Sequence, residues 1–351
     1  MNSDEILNRP LDERESSILR ALVYEYIYTG KPVGSRSFVQ KYSFSISPAT
    51  MRNIMFDLEA MGFLMQPHTS AGRIPTDSGY RFYVNSLLDS YDFKLDEQTR
   101  VKEEFLRKEI HLDKIFTSIT KMLSIVSRYA GVMLTPNPDY TVVKRFDLVP
   151  IGNNELLVIL VTRTGLIINK RVTLSVSVIS DDLYEYSKYL TGELCGYSIH
   201  DIKDSVIGSL RTKKPRTANN DMALDIAELA LGDIEEPMLH IDGIENLLKI
   251  PEMVEEERLN SLLNIIEEKD ILRYIMERNL EKDGINTLIG NEIADSKVSG
   301  CSMVSSAYKI GNKRVGVIGI IGPTRMDYEK TVPLVDYTSR VISDFLTNMS
   351  K

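Results

Sequence analysis

The sequence predicts an α+β protein led by a winged helix-turn-helix, and three observations carry this prediction. Ser47-Pro48-Ala49-Thr50-Met51-Arg52-Asn53-Ile54-Met55 reads as the second helix of a helix-turn-helix. Pro67-His68-Thr69-Ser70-Ala71-Gly72-Arg73-Ile74-Pro75-Thr76 follows as a short basic hairpin. Beyond them, helical and strand-like patterns alternate in blocks to the end of the chain, and 351 residues exceed one ordinary core.

Arg14 to Thr29 has Ile18, Leu22, Val23, Tyr26 and Ile27 on one face at helical spacing, and Gly30 provides a C-terminal cap. After Pro32-Val33-Gly34, Ser35 is expected to cap a second helix to about Tyr42, and Ser43-Phe44-Ser45-Ile46 to form the turn. Ser47 suits an N-cap, and Pro48 suits the first helical turn, where its missing N–H costs nothing. In the helix that follows, Met51, Ile54, Met55, Leu58 and Met61 share the core side, while Ala49, Arg52, Asn53 and Phe56 point away.

In this motif the N-terminal residues of the second helix reach base edges in the major groove. Arg52 can be bidentate to guanine and Asn53 to adenine, and Ala49 and Thr50 can meet a thymine methyl. An isolated Arg-Asn pair would more simply solvate a helix; its placement before a wing favours DNA. Gly62 ends the helix, Phe63-Leu64-Met65 is strand-like, and Arg73-Ile74 begins the return strand. His68, Thr69 and Ser70 are expected against phosphates, and Arg73 in the minor groove. Thr76 then caps a helix from Asp77 to Asp89 with Tyr80, Tyr83, Val84, Leu87 and Leu88 as its packing stripe and Asp77–Arg81 as an i,i+4 pair.

Charge fits this division. Residues 1–83 hold nine Lys/Arg and nine Asp/Glu, so residues 84–351 carry the whole net charge of −8. Between Lys31 and Met55 stand Lys31, Arg36, Lys41 and Arg52 and no acid. A local basic face on an acidic body suits a regulator that must find one site without clinging to bulk DNA.

Pro32-Val33-Gly34-Ser35-Arg36, then Ser47 through Asn53, then Pro67 through Thr76 running into Gly79-Tyr80-Arg81-Phe82-Tyr83, closely resemble the HrcA family of bacterial heat-inducible transcription repressors. Three blocks in order are far more specific than a generic helix-turn-helix, and they cover about the first quarter of the chain. The resemblance implies DNA contacts from Ser35, Arg36, Ser47, Ala49, Thr50, Arg52, Asn53, His68, Thr69, Ser70 and Arg73. It also implies a homodimer on an inverted-repeat double-stranded DNA operator of the CIRCE type, upstream of chaperone operons. A GroEL-type chaperonin would keep the repressor competent. Neither operator nor chaperonin follows from composition or spacing.

In the body, a helical region runs from Asp96 to Tyr129. Strands are expected at 131–134, 141–150, 156–162 and 166–174, with hairpin turns at Asn153-Asn154 and Thr164-Gly165 and antiparallel pairing. Residues 181–282 read as mainly helical, with a stripe of Leu259, Leu262, Leu263 and Ile266 and an exposed loop at Lys213-Lys214-Pro215-Arg216. Strands return at 286–293, 301–310 and 314–321, and a helix closes the chain from about Val335 to Met349. This order suggests an α+β domain interrupted by an insertion. With the resemblance, it gives a winged helix-turn-helix at 1–92, a discontinuous GAF-like α/β domain at 93–180 plus 283–351, and a mostly helical inserted dimerisation domain at 181–282.

Other classes find little support. The N-terminus lacks the apolar core of a signal peptide, the longest apolar run (156–161) is far short of a membrane span, and a cytoplasmic protein is expected. Cys195 and Cys301 lie too far apart in sequence for a thiolate cluster, and the histidines at 68, 111, 200 and 240 form no ligand pair. Gly316, Gly319 and Gly322 have the wrong spacing for a dinucleotide fingerprint. No cofactor, metal or catalysis is expected. A repressor whose body senses a metabolite is the alternative.

Overall fold

The computed structural model describes residues 10–69, 71–88, 112–152, 154–163, 166–175, 180–212, 217–232, 237–254, 269–293 and 300–349. Ser70, residues 96–111 of the helix expected from Asp96 to Tyr129 (with His111), the turn residues Asn153, Thr164 and Gly165, the Lys213–Arg216 loop and the Leu259–Ile266 stripe lie outside them.

The first three helices are α1 (Glu13–Thr29), α2 (Ser35–Tyr42) and α3 (Pro48–Ala60). Asp12 and Glu15 close α1 with a reciprocal capping box, and Gly30 ends it at φ 64°. Ser35 is not the cap of α2: Gly34 occupies that position without a side-chain bond, and Ser35 is the first helical residue. Strands β1 (Leu64–Met65) and β2 (Ile74–Pro75) pair antiparallel, Leu64 against Pro75 and Met65 against Ile74. Helix α4 (Asp77–Leu88) starts where the Thr76 hydroxyl accepts from the Gly79 N–H at 3.2 Å and donates to the Gly62 carbonyl at 2.6 Å.

The body begins with α5 (Leu112–Ser127) and β3 (Ala130–Leu134). Strands β4 (Val143–Pro150), β5 (Glu155–Thr162) and β6 (Ile167–Thr173) form an antiparallel three-stranded sheet. Then come α6 (Ser180–Leu194), α7 (Ile199–Asp201), a π-helical turn at Ile202–Val206, α8 (Ile207–Thr212) and α9 (Ala218–Gly232). Strand β7 (Leu239–Asp242) and α10 (Ile244–Leu247) precede α11 (Lys269–Leu280). β8 (Ile285–Ile289), β9 (Cys301–Ile310), β10 (Lys313–Pro323) and α12 (Tyr328–Met349) complete the chain. A second sheet has the order β7-β3-β10-β9-β8, and every neighbouring pair is antiparallel.

The sheets partition the body differently from the expected division at 180 and 282. Strands β4–β6 share one apolar cluster with α6–α9: Phe146, Val158 and Leu160 pack on Leu190, Ile202 and Ala227. β7 joins the other sheet although its sequence lies within the stretch expected to be helical. The reason is burial: a three-stranded sheet needs one face covered, and the helices next in the chain cover it. The five-stranded sheet is covered on both faces, by α5 and α12 through Met133, Val304 and Ile318, and by α11 through Val132, Met303 and Val317. Two-sided burial is why the run from Val315 to Ile321 reads as continuously apolar.

The winged helix does not keep its core to itself. One apolar cluster runs from Ile18, Leu22 and Leu58 through Tyr80 and Val84 into Tyr328, Val332 and Ile318. The expected Asp77–Arg81 pair gives way to contacts across this joint. Arg81 makes an ion pair with Glu292 and donates to the Thr287 carbonyl at 2.6 Å, while Asp77 accepts from the Asn291 N–H at 3.0 Å. Tyr83 donates to Glu329 at 2.9 Å. Arg325 grips Glu252 with two nitrogens, at 2.9 and 2.7 Å, and donates to the Ile27 carbonyl of α1 at 2.7 Å.

Arg325→Ala is therefore expected to destabilise the protein by ~2–3 kcal/mol, because it leaves a mostly buried Glu252 carboxylate without its cation. Urea unfolding followed by circular dichroism measures this. An unchanged midpoint would show that the joint does not depend on this arginine.

Candidate nucleic-acid interface

Helix α3 is built locally. The Ser47 hydroxyl accepts from the Thr50 N–H at 3.0 Å and lies 2.9 Å from the Thr50 hydroxyl, so Ser47 is committed to the helix end. Met51, Met55 and Leu58 are buried, which turns Ala49, Thr50, Arg52 and Asn53 to solvent. Phe56 is 62 % exposed on the same side, an apolar group with no intramolecular reason to be uncovered.

The wing is held by contacts more specific than its turn composition suggests. Val33 and Arg73 exchange both backbone hydrogen bonds, at 2.8 and 2.9 Å, so the return strand is tied to the loop before α2. Gly72 sits against that loop so closely that a Cβ would lie 2.4 Å from the Val33 carbonyl carbon and oxygen. The Gln66 amide donates to the Thr69 carbonyl at 3.0 Å and to the Ala71 carbonyl at 2.9 Å, and the Ala71 N–H donates to His68 at 2.8 Å. His68 and Thr69 are exposed at the tip.

The Arg73 guanidinium lies 2.8 Å from Glu59 near the end of α3, with 16 % of the side chain exposed, and fastens the wing to the helix. Ser35 is buried at the first turn of α2. Arg36 is exposed on the same helix.

Arg52, Thr69, Arg73, Gly34 and Gln66 line one cleft of about 450 Å³ between α2, α3 and the wing. Lys41, counted among the basic residues, is spent on Glu25 of α1 at 2.6 Å. Burial alone would raise the Glu25 pKa, but its bonds to Lys41 and Tyr42 outweigh that and hold it below the ordinary carboxylate range. Among the described residues no carboxylate pairs with Lys31, Arg36 or Arg52, and of the three Arg52 stands on the exposed face of α3.

Sequence reading missed Gln66 and Glu59. Glu59 acts through Arg73, which only the folded wing brings near, and Gln66 through the backbone carbonyls of Thr69 and Ala71, which carry no side-chain signal. His68 is exposed and Ser70 lies outside the described residues.

A recognition helix with an uncovered polar face, backed by a helical core and followed by a tied wing, defines a winged helix-turn-helix transcriptional regulator. The comparisons make this more particular. The model of the HrcA protein C-terminal domain matches residues 113–332. The chain is 35 % identical over 343 residues to the heat-inducible transcription repressor HrcA of Leptospira biflexa serovar Patoc, covering 97 % of this chain and 99 % of that one. It is 35 % identical to the repressor of the same name from Geobacter sulfurreducens, over 96 % of this chain and 98 % of that one. This chain belongs to the HrcA family of heat-inducible transcription repressors. A crystal structure of a hypothetical protein, 24 % identical and covering 97 % of this chain and all of its own, shares the fold at a TM-score of 0.67. No described helix is long and apolar enough to cross a membrane.

Proposed function

We propose that the protein represses chaperone genes in the cytoplasm by occupying a CIRCE-type inverted-repeat operator as a homodimer, each protomer reading one half-site with α3. The uncovered row of Ala49, Thr50, Arg52 and Asn53 beside the wing carries this reading. Arg52 and Asn53 read base edges, Arg36, His68, Thr69 and Ser70 meet the phosphate backbone, and the buried Ser35 contributes its backbone N–H. Ser47 and Arg73 act from within, one capping α3 and the other seating the wing.

Dimerisation is assigned to the unit of β4–β6 and α6–α9, inserted into a GAF-like body. Among the described residues no helix covers the second face of its three-stranded sheet. On that face Leu157, Ile159 and Val161 of β5 lie half-buried, flanked by Val149, which is 40 % exposed, and Ile167, which is 52 % exposed. A second copy of the same face would cover them. The GroEL-type chaperonin, as the partner that maintains active repressor, rests on the family resemblance.

A gel shift with the promoter of the cell's own chaperonin operon, with and without GroEL and across the heat-shock range, tests the reading. Failure to bind that promoter under every condition would overturn it. At higher resolution, Arg52→Ala and Asn53→Ala are each expected to cost ~1–3 kcal/mol and relax preference at one position per half-site. Operator variants titrated against each mutant measure this. Uniform weakening with operator preference intact would remove both residues from base reading.

A further inference from the structure

We propose that the groove between α11 and β8 binds a small amphipathic carboxylate or sulfonate, and that its occupancy is felt by the winged helix through Glu292 and Arg81. The groove encloses about 480 Å³, within the ~300–1,000 Å³ of small-molecule sites. Its floor is apolar: Ile271, Tyr274 and Ile275 from the helix and Leu288 from the strand. Tyr274 is 58 % exposed, a large side chain at the groove.

Charge selects the ligand class. Arg278 and Lys282 line the groove, and among the described residues neither has a carboxylate partner. Arg278 lies 5.8 Å from the centre of the Tyr274 ring, and Lys282 donates to the Asn286 amide oxygen at 3.3 Å. Of the two carboxylates that line the groove, Glu292 is held by Arg81, and Asp270 is almost fully solvated, 3.5 Å from Arg273. Arg278 and Lys282 therefore supply the cations that stand beside the apolar floor. That arrangement fits an aliphatic or aromatic body with one anionic head.

The groove also touches the joint to the DNA-binding unit. Glu292 is both a wall of the groove and the ion-pair partner of Arg81 on α4, the helix that continues directly from the wing. Leu288 follows Thr287, whose carbonyl accepts from Arg81 at 2.6 Å. A ligand that shifts Leu288 or Glu292 therefore moves the seat of α4. In this way the site would bias where the wing sits, which a ligand can do only by binding two arrangements unequally.

Calorimetry on the full chain with octanoate and with 8-anilinonaphthalene-1-sulfonate tests the site, with octanol and octyltrimethylammonium as neutral and cationic controls. Saturable binding of at least one anion is expected, with both controls at least tenfold weaker. The double variant Arg278→Ala/Lys282→Ala should lose at least tenfold for the anion and little for octanol. Both residues are exposed, so circular dichroism should show an unchanged fold. No saturable anion binding, equal binding of octanol, or an unaffected double variant each overturns the site. Saturating anion should then shift operator affinity at least threefold in the wild type and not in Arg81→Ala. Binding without that shift overturns the coupling alone. The calorimetric measurements contain no DNA, so they stand whatever the operator experiments give.

Discussion

Gly72→Ala is expected to lower operator affinity about 100-fold while the body stays folded. The added methyl would need the space of the Val33 carbonyl, 2.4 Å away, and backbone cannot swing aside as a side-chain tip can. Relief requires the wing to lift from the loop, which breaks the two hydrogen bonds exchanged by Val33 and Arg73. Each is worth ~0.5–1.5 kcal/mol, and overpacking adds ~1–3 kcal/mol, so a displacement cost near ~3 kcal/mol is expected. If binding must recover that cost to reseat the wing, affinity falls by about two decades. Glu59 then holds Arg73 less well, and the cleft shared by Arg52, Thr69 and Arg73 loses its wall. Fluorescence anisotropy with a labelled operator measures the effect, and circular dichroism checks the body. Wild-type affinity in this variant would mean that the wing takes no part in binding.

Ile159→Arg should separate the protomers and with them the two half-site contacts. Ile159 lies mid-strand on the face of the three-stranded sheet that no described helix covers, opposite Asp147 on β4 and Asn169 on β6. An arginine there has polar neighbours within its own protomer, so the fold should tolerate it. Pressed against a second copy of the same apolar face, it would bury an unpaired charge. A linked second half-site raises avidity by ~10²–10⁴, and a monomeric variant forfeits that factor. Light scattering after size exclusion reports the oligomeric state, and anisotropy reports the operator. A variant that remains dimeric at micromolar concentration would place the interface elsewhere. A monomer that still binds with full affinity would remove dimerisation from the mechanism.

Much of the DNA-binding unit was legible in the sequence because its signals act within a few residues. The αL glycine at position 30, Ser47 before Pro48, and Thr76 before Gly79 each close a local hydrogen bond. The exposed set on α3 followed from the spacing of Met51, Met55 and Leu58. Local reading went wrong where a distant partner competed. Arg81 was expected to pair with Asp77 one turn away, yet both turned to the body, where Glu292 and the Asn291 N–H are available. The partner that Arg73 holds in the folded chain, Glu59, was likewise not readable. Its side chain looks the same in sequence whichever neighbour holds it.

The body divides along the same line. Its strands were readable from alternation and turn residues, and their antiparallel pairing from the short connections between them. Sheet membership was not readable. β4–β6 separate from β3 and β7–β10 because α6–α9 cover one face of the shorter sheet, while α5, α11 and α12 bury both faces of the longer one. β7 is four residues in a charged, mainly helical stretch and is a strand because β3 offers it an edge. The closing helix likewise begins at Tyr328, ahead of Pro333, because Tyr328 and Val332 are buried against the winged helix. By itself the sequence determined the Ser47 and Thr76 caps, the Gly30 stop and the exposed face of α3, since each depends on atoms a turn or less apart. Tertiary structure alone decided which strands share a sheet, which carboxylate each arginine holds, and that the winged helix shares a core with the body. Those choices compare burial and pairing among segments up to about three hundred residues apart, such as Tyr28 and Asp327, and no local pattern encodes the comparison.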